Sequence, residues 1–158
     1  MKSESNTVLP HIYEKSCGVI LYRVEKGMRE YLLLHYPGGH WDFPKGHVER
    51  RDANEIATAH RELEEETGIK EVAFNPDYRE LMYYEFNRGK KELVKKTVVY
   101  FLAESKESEE REVELSHEHQ NFEWMAFEPS LKRLTFDNAR DLLHKAEDQL
   151  NAPLHDNK

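Results

Sequence analysis

The sequence predicts an α/β fold built on a single core, and three observations predict it. Apolar runs of strand length recur at 15–23, 31–34 and 95–104, each flanked by charged or turn-forming residues. Two longer stretches, 54–67 and 135–150, instead repeat their apolar residues at helical spacing. Between two strand-like runs, Asn87-Arg88-Gly89-Lys90 has the make-up of a hairpin turn. Several strands, with one helix inserted among them and one at the end, call for a sheet packed against helices.

Taken in order, residues 1–10 are polar and without periodicity, a loose end that caps the fold. In 15–23, Cys17, Val19 and Leu21 point one way and Ile20 and Tyr22 the other, as in a strand buried on both faces. Cys17, inside this apolar run, is expected to pack rather than react. A turn at 25–29 leads to the short strand 31–34, which Pro37-Gly38-Gly39 ends. The first helix is expected over 54–67, with Asp52 or Asn54 as its N-cap and Gly68 ending it in a left-handed conformation. Leu63, Ile56 and Ala59 form its core-facing stripe. Strands follow at 72–74, 79–86, 95–104 and 122–127, the second and third joined by the hairpin turn. Residues 104–114 carry six acids and two cations without apolar periodicity, a solvated loop. The closing helix places Ala139, Leu142, Leu143, Ala146 and Leu150 on one side.

A chain of 158 residues that is 38% hydrophobic can bury one sizeable core, so residues 1–158 are expected to form a single domain. Its net charge of −8 disfavours extended nucleic acid or an anionic membrane as partner, since both are themselves negative. One cysteine makes no intrachain disulfide, no leader-like segment opens the chain, and the longest apolar run, 98–103, is too short to span a membrane. A soluble, cytoplasmic protein is the expectation.

The chemistry concentrates in Arg61-Glu62-Leu63-Glu64-Glu65-Glu66-Thr67-Gly68-Ile69. On a helix, Glu62, Glu65 and Glu66 stand at i, i+3 and i+4 and share one face, while Glu64 points away. Three crowded carboxylates repel unless a cation sits among them, and hard oxygen donors suit Mg²⁺ or Mn²⁺. The bland alternative is a charged helix face steadied by pairs such as Arg61 with Glu65 at i+4.

Gly46 followed by this segment resembles the Nudix box, G-x5-E-x7-R-E-U-x-E-E-x-G-U with U apolar. The second half matches at every defined position. In the first half one extra residue lies between Gly46 and Arg61, so that Asp52 stands six residues after Gly46 where the loop glutamate belongs, with Glu55 as the other candidate. The segment His40-Trp41-Asp42-Phe43-Pro44-Lys45-Gly46-His47-Val48-Glu49 resembles the H-W-x-x-P-K-G-H-V-E of animal-type asymmetrical diadenosine tetraphosphate (Ap4A) hydrolases. Ser116, Glu118 and His119, followed by Phe122 and Trp124, resemble the same group's S-x-E-H-x-x-Y-x-W segment, with phenylalanine for tyrosine.

The resemblance implies an α/β/α sandwich, a mixed sheet between helices, and metal-dependent attack of water on a polyphosphate chain that yields ATP and AMP. It implies Glu62, Glu65, Glu66 and the Gly46 carbonyl as metal ligands, and either Glu66 or Glu118 as general base. His40, Lys45 and Lys96 are the candidate grip on the phosphates of a dinucleoside polyphosphate. Tyr83 and Phe122 are the candidates for stacking on adenine, with core packing an open alternative for Tyr83. Trp41 and Trp124 are assigned to structure, and His60 to packing. Two other functions remain open: a Nudix RNA 5′-pyrophosphohydrolase, which typically carries glutamine where Lys45 stands, and a non-catalytic nucleotide-binding module.

Overall fold

The computed structural model describes residues 10–108, 113 and 121–153. In chain order its elements are β1 (His11–Glu25), β2 (Met28–His35), β3 (Trp41–Asp42), β4 (Lys45–His47), α1 (Glu55–Thr67), β5 (Val72–Arg88), β6 (Glu92–Ser105), β7 (Asn121–Met125), α2 (Phe127–Arg133) and α3 (Asp137–Asn151). The strands form one sheet in the order β3-β2-β1-β6-β5, with β4 added to β1 and β7 to β2. At its centre β1 and β6 run parallel from the His11–Leu93 pair to the Tyr22–Glu104 pair, while the other ladders are antiparallel. The mixed sheet anticipated above is therefore present.

The apolar run of β1 is continuous because both of its faces are covered. Cys17, Val19 and Leu21, with Leu32, Leu34, Val99 and Phe101, pack under Ala59 and Leu63 of α1. Ile20, Tyr31, Leu33, Val98, Tyr100 and Leu102 face the other way, against Ala139, Leu142, Leu143 and Ala146 of α3. Polar contacts also fasten α3: the Tyr78 hydroxyl donates to the Leu142 carbonyl at 2.8 Å and the Tyr31 hydroxyl to Glu147 at 2.5 Å. Cys17 is buried, and burial pushes its thiol up to about 11, in keeping with a packing role.

Helix α1 starts where Asn54 accepts the Ala57 N–H at 2.8 Å and ends at Gly68, whose φ of 78° lies in the left-handed region. Asn54 is thus the cap, and Asp52 is released for other work. Ile56, expected to face the core, is 42% exposed; Thr58 is buried in its place, its hydroxyl bonded to Asp52 at 2.8 Å.

Other differences have local causes. The first strand begins at His11 rather than at 15, because its early residues pair with the start of β6. The runs at 72–74 and 79–86 are one strand, interrupted by a register shift between Phe74 and Arg79 where Pro76 offers no N–H to the ladder. Phe127, expected to end a strand, instead begins α2, whose first turn accommodates Pro129. Strands β3 and β4, two and three residues long, are too short to leave a periodic signal.

Candidate active site

Helix periodicity brings Glu62, Glu65 and Glu66 to one side of α1, and β4 crosses beside them. The helix and β4 approach so closely that a Cβ at residue 46 would lie 2.0 Å from the Glu62 carboxyl carbon, so that only glycine admits the carboxylate there. One residue earlier, the Lys45 N–H donates to Glu66 Oε1 at 3.1 Å. Glu66 is buried, Glu62 largely so, and Glu65 is half-exposed.

Arg61 organises the rest. Its Nε and Nη2 donate to the two Asp52 oxygens at 2.8 and 2.9 Å, its Nη1 to Glu62 at 3.0 Å and Glu65 at 2.9 Å, and its Nη2 also to the His47 carbonyl at 2.9 Å. Asp52 further accepts the Glu49 N–H at 2.8 Å. The Arg61 fork therefore holds the Asp52 carboxyl well below the usual carboxylate range. Of the two loop acids, Asp52 meets Arg61, whereas Glu55 turns away to Lys15 at 2.6 Å and Arg79 at 2.8 Å. The Glu62 carboxyl is pushed up by burial, with Glu65 and Glu49 adding to the rise and Arg61 opposing it.

These donors are hard oxygens on one helix face, beside a backbone stripped of its Cβ, and the excess negative charge around Glu62 is what a divalent cation would relieve. The residue types fit such an ion. Among the described residues no three acidic, histidine or cysteine side chains converge as a ready-made metal-holding group; Glu62 and Glu65 both accept from the same Arg61 Nη1.

On the α3 side of the sheet lies a cavity of about 420 Å³. The β3–β4 segment contributes His40, Asp42 and Lys45 to it, β5 contributes Met82 and Tyr84, and the start of α3 contributes Phe136, Asn138 and Ala139. His40 stacks on Tyr36 with ring centroids 4.8 Å apart and leans on Phe136 at 5.4 Å. The Lys45 ammonium sits 4.9 Å over the same Tyr36 ring. Burial lowers the proton affinity of His40, with Asp42 acting against this and Lys45 adding to it. Lys96 is half-buried, and burial and the neighbouring Lys45 both weaken its hold on its proton. Asp42 is 3% exposed, and burial pushes its carboxyl up while Lys45 and the Phe43 N–H draw it down.

The expected stacking pair of Tyr83 and Phe122 is not assembled. Residues alternate across a strand, and past the register shift it is Tyr78, Met82 and Tyr84 that face α3. Tyr83 emerges on the opposite face, 54% exposed, its hydroxyl bonded to Glu85. Phe122 pairs with Leu34 and packs, partly buried, against the core cluster under α1. Tyr84, Tyr36, Phe136 and Asp42 went unnoticed in the sequence; the signal for Tyr84 is its two-residue spacing from Met82. His60 accepts the packing role, with Nε2 at 2.7 Å from the Lys70 carbonyl and its ring edge-on to Phe74. Trp41 stacks on His35 and Trp124 lies under Arg23, both structural contacts. Glu118 and its flanking histidines, His117 and His119, lie outside the described residues.

Residues 13–145 match the family described as the NUDIX domain. The chain is 37% identical to an asymmetrical bis(5′-nucleosyl)-tetraphosphatase of Caenorhabditis elegans over 135 residues, covering 83% of this chain and 92% of that protein. It is 34% identical over 142 residues to the protein of the same name from Rattus norvegicus, covering 83% of this chain and 91% of that one. Among solved structures, a C. elegans Ap4A hydrolase binary complex superposes with a TM-score of 0.75 at 35% identity, covering 87% of this chain and 97% of that one.

Proposed function

The chain belongs to the NUDIX family, and from that premise we propose that it hydrolyses diadenosine tetraphosphate asymmetrically, to ATP and AMP. The observation that carries the reading is the position of Lys45. Its backbone N–H binds Glu66 of the acidic helix face while its side chain lines the cavity, so one residue joins the place where a phosphate is attacked to the place where a nucleoside is held.

NUDIX hydrolases generally use divalent metals, and Mg²⁺, with Mn²⁺ as the alternative, suits the oxygen donors of Glu62, Glu65, Glu66 and the Gly46 carbonyl. A divalent ion held there offsets the charge of the polyphosphate and acidifies water. The chain's own residues do the rest. Arg61 positions the Glu62 and Glu65 carboxylates, and Asp52 positions Arg61. Glu66, whose Oε1 accepts the Lys45 N–H, and Glu118 are the two candidates for taking the proton from the attacking water. The water oxygen bonds to phosphorus as the bridging P–O bond breaks. Lys45, Lys96 and His40 grip the phosphates. Tyr84, rather than Tyr83, offers the face on which an adenine stacks, with Met82 and Phe136 completing the cavity.

Lys45 itself and the acidity of the chain favour this dinucleotide over the 5′ end of RNA. No described helix is long and apolar enough to cross a membrane, and the lone, buried cysteine suits a cytoplasmic setting. Incubation of the purified protein with Ap4A and Mg²⁺ is expected to give ATP and AMP in equal amounts, with one ¹⁸O from labelled water in one of the two products, which locates the attacked phosphorus. Formation of ADP alone, or an intact dinucleotide beside a cleaved nucleoside diphosphate derivative, would overturn the substrate assignment.

A further inference from the structure

Phosphate chemistry gives Asp42 no task. It is a carboxyl 3% exposed, at the edge of a cavity whose other walls include Met82, Tyr84 and Phe136. Its Oδ1 accepts the N–H of Phe43 at 2.8 Å. Among the described residues no lysine, arginine or histidine forms an ion pair with it; Lys45 and His40 act on it only through space. Beside it the hydroxyl of the fully buried Tyr100 also has no hydrogen-bond partner among the described residues. A buried acid without a cation is costly, and if the cavity required shape alone an apolar side chain would be better there. Asp42 also falls on one of the two unspecified positions of the H-W-x-x-P-K-G-H-V-E motif, so the motif itself gives it no role.

An acceptor at the edge of an apolar, aromatic-walled cavity selects a ligand that brings an N–H to it. Accepting the reading that one adenosine of Ap4A occupies this cavity, we propose that Asp42 determines base specificity, its carboxylate accepting a hydrogen bond from the 6-amino group of adenine. Guanine carries a carbonyl oxygen at that position, which sets acceptor against acceptor. A site built to hydrogen-bond a particular group discriminates more sharply than one that reads size alone.

The unaltered protein is assayed with Ap4A, with diguanosine tetraphosphate, and with the corresponding dinucleotide of purine riboside, which lacks the 6-amino group. The expected result is a kcat/KM for Ap4A that exceeds each of the others by about tenfold or more, the cost of leaving one buried polar group unpaired, with the difference in KM rather than kcat. Asp42→Asn keeps an acceptor for the Phe43 N–H but can turn an amide N–H toward the base, and is expected to abolish the preference. Equal kcat/KM for Ap4A and the purine riboside analogue in the unaltered protein overturns the proposal and leaves the function standing. So does a folded Asp42→Asn protein that retains the preference. If that variant does not fold, Asp42→Ser is judged by the same criterion. Failure of the unaltered protein to cleave any of the three overturns the proposed function, and the specificity assignment falls with it.

Discussion

The acidic face of α1 and the cavity beside β5 meet at Lys45, but they are written into the chain in different ways. The acidic face is local: three glutamates within five residues, brought together by the helical period and secured by Arg61 from the same turn. The cavity is assembled from the β3–β4 segment, the far half of β5 and the start of α3, segments separated by dozens of residues. On the proposed function, chemistry that needs a fixed constellation of charges lies on a rigid element, whereas recognition is left to surfaces that strand parity and loop placement decide. Changes to the helix face are therefore expected to act on kcat, and changes to the cavity on KM.

The largest effect is expected from Glu66→Gln. The amide still accepts the Lys45 N–H, so the melting temperature should hold, while loss of the proton acceptor is expected to lower kcat by about 10²–10⁴-fold. A fall confined to KM would erase the distinction between the two regions. Glu118→Gln, measured alongside, decides which carboxylate is the base: the larger loss of kcat belongs to it. Gly46→Ala comes next, because the new methyl would lie 2.0 Å from the Glu62 carboxyl carbon and must push it aside. Displacement on the scale of 1 Å is expected to cost about 10²-fold in kcat, with wild-type KM for the nucleotide.

On the cavity side, Tyr84→Ala is expected to raise KM about tenfold or more, in line with about 1–3 kcal/mol for stacking one base. Tyr83→Ala should change KM by less than about twofold, since the side chain is on the other face and exposed. A reversal of that order would mean that the base lies on the α1 side of the sheet.

The same contrast explains what was legible. Glu62, Glu65, Glu66 and Gly46 could be read because a 3.6-residue period needs no tertiary information, and the cap at Asn54 and the stop at Gly68 follow from backbone chemistry alone. Tyr84 could not, since the register shift between Phe74 and Arg79 resets which residues of β5 face α3, and that shift depends on how β6 pairs. The one-residue insertion before Arg61 left two candidates for the loop acid. Only the folded chain brings Asp52 to Arg61 with both oxygens, one methylene shorter than the glutamate of the resemblance. Phe122 reads as a stacking ring from its place in the resemblance, but its pairing with Leu34 sets it, partly buried, against the core under α1.

The smallest expected effect concerns Glu55, the acid that the insertion left over, and it tests whether this residue belongs to the scaffold or to the site. Arg79 and Lys15 hold its carboxyl down to about 2, from an ordinary value of 4.5. Because the folded value lies below the unfolded one, the stabilisation from this cluster is fully present above pH 4.5 and is lost as the pH falls toward 2. In Glu55→Gln the charge is absent at every pH. The difference in melting temperature between wild type and variant should thus be greatest near neutrality, begin to shrink below pH 4.5, and close near pH 2, with kcat at pH 7 unchanged. A constant difference across that window would show that Glu55 acts by packing at the helix start. A fall in kcat would place it in the metal-side machinery, in competition with Asp52, and would return the insertion to the centre of the chemistry.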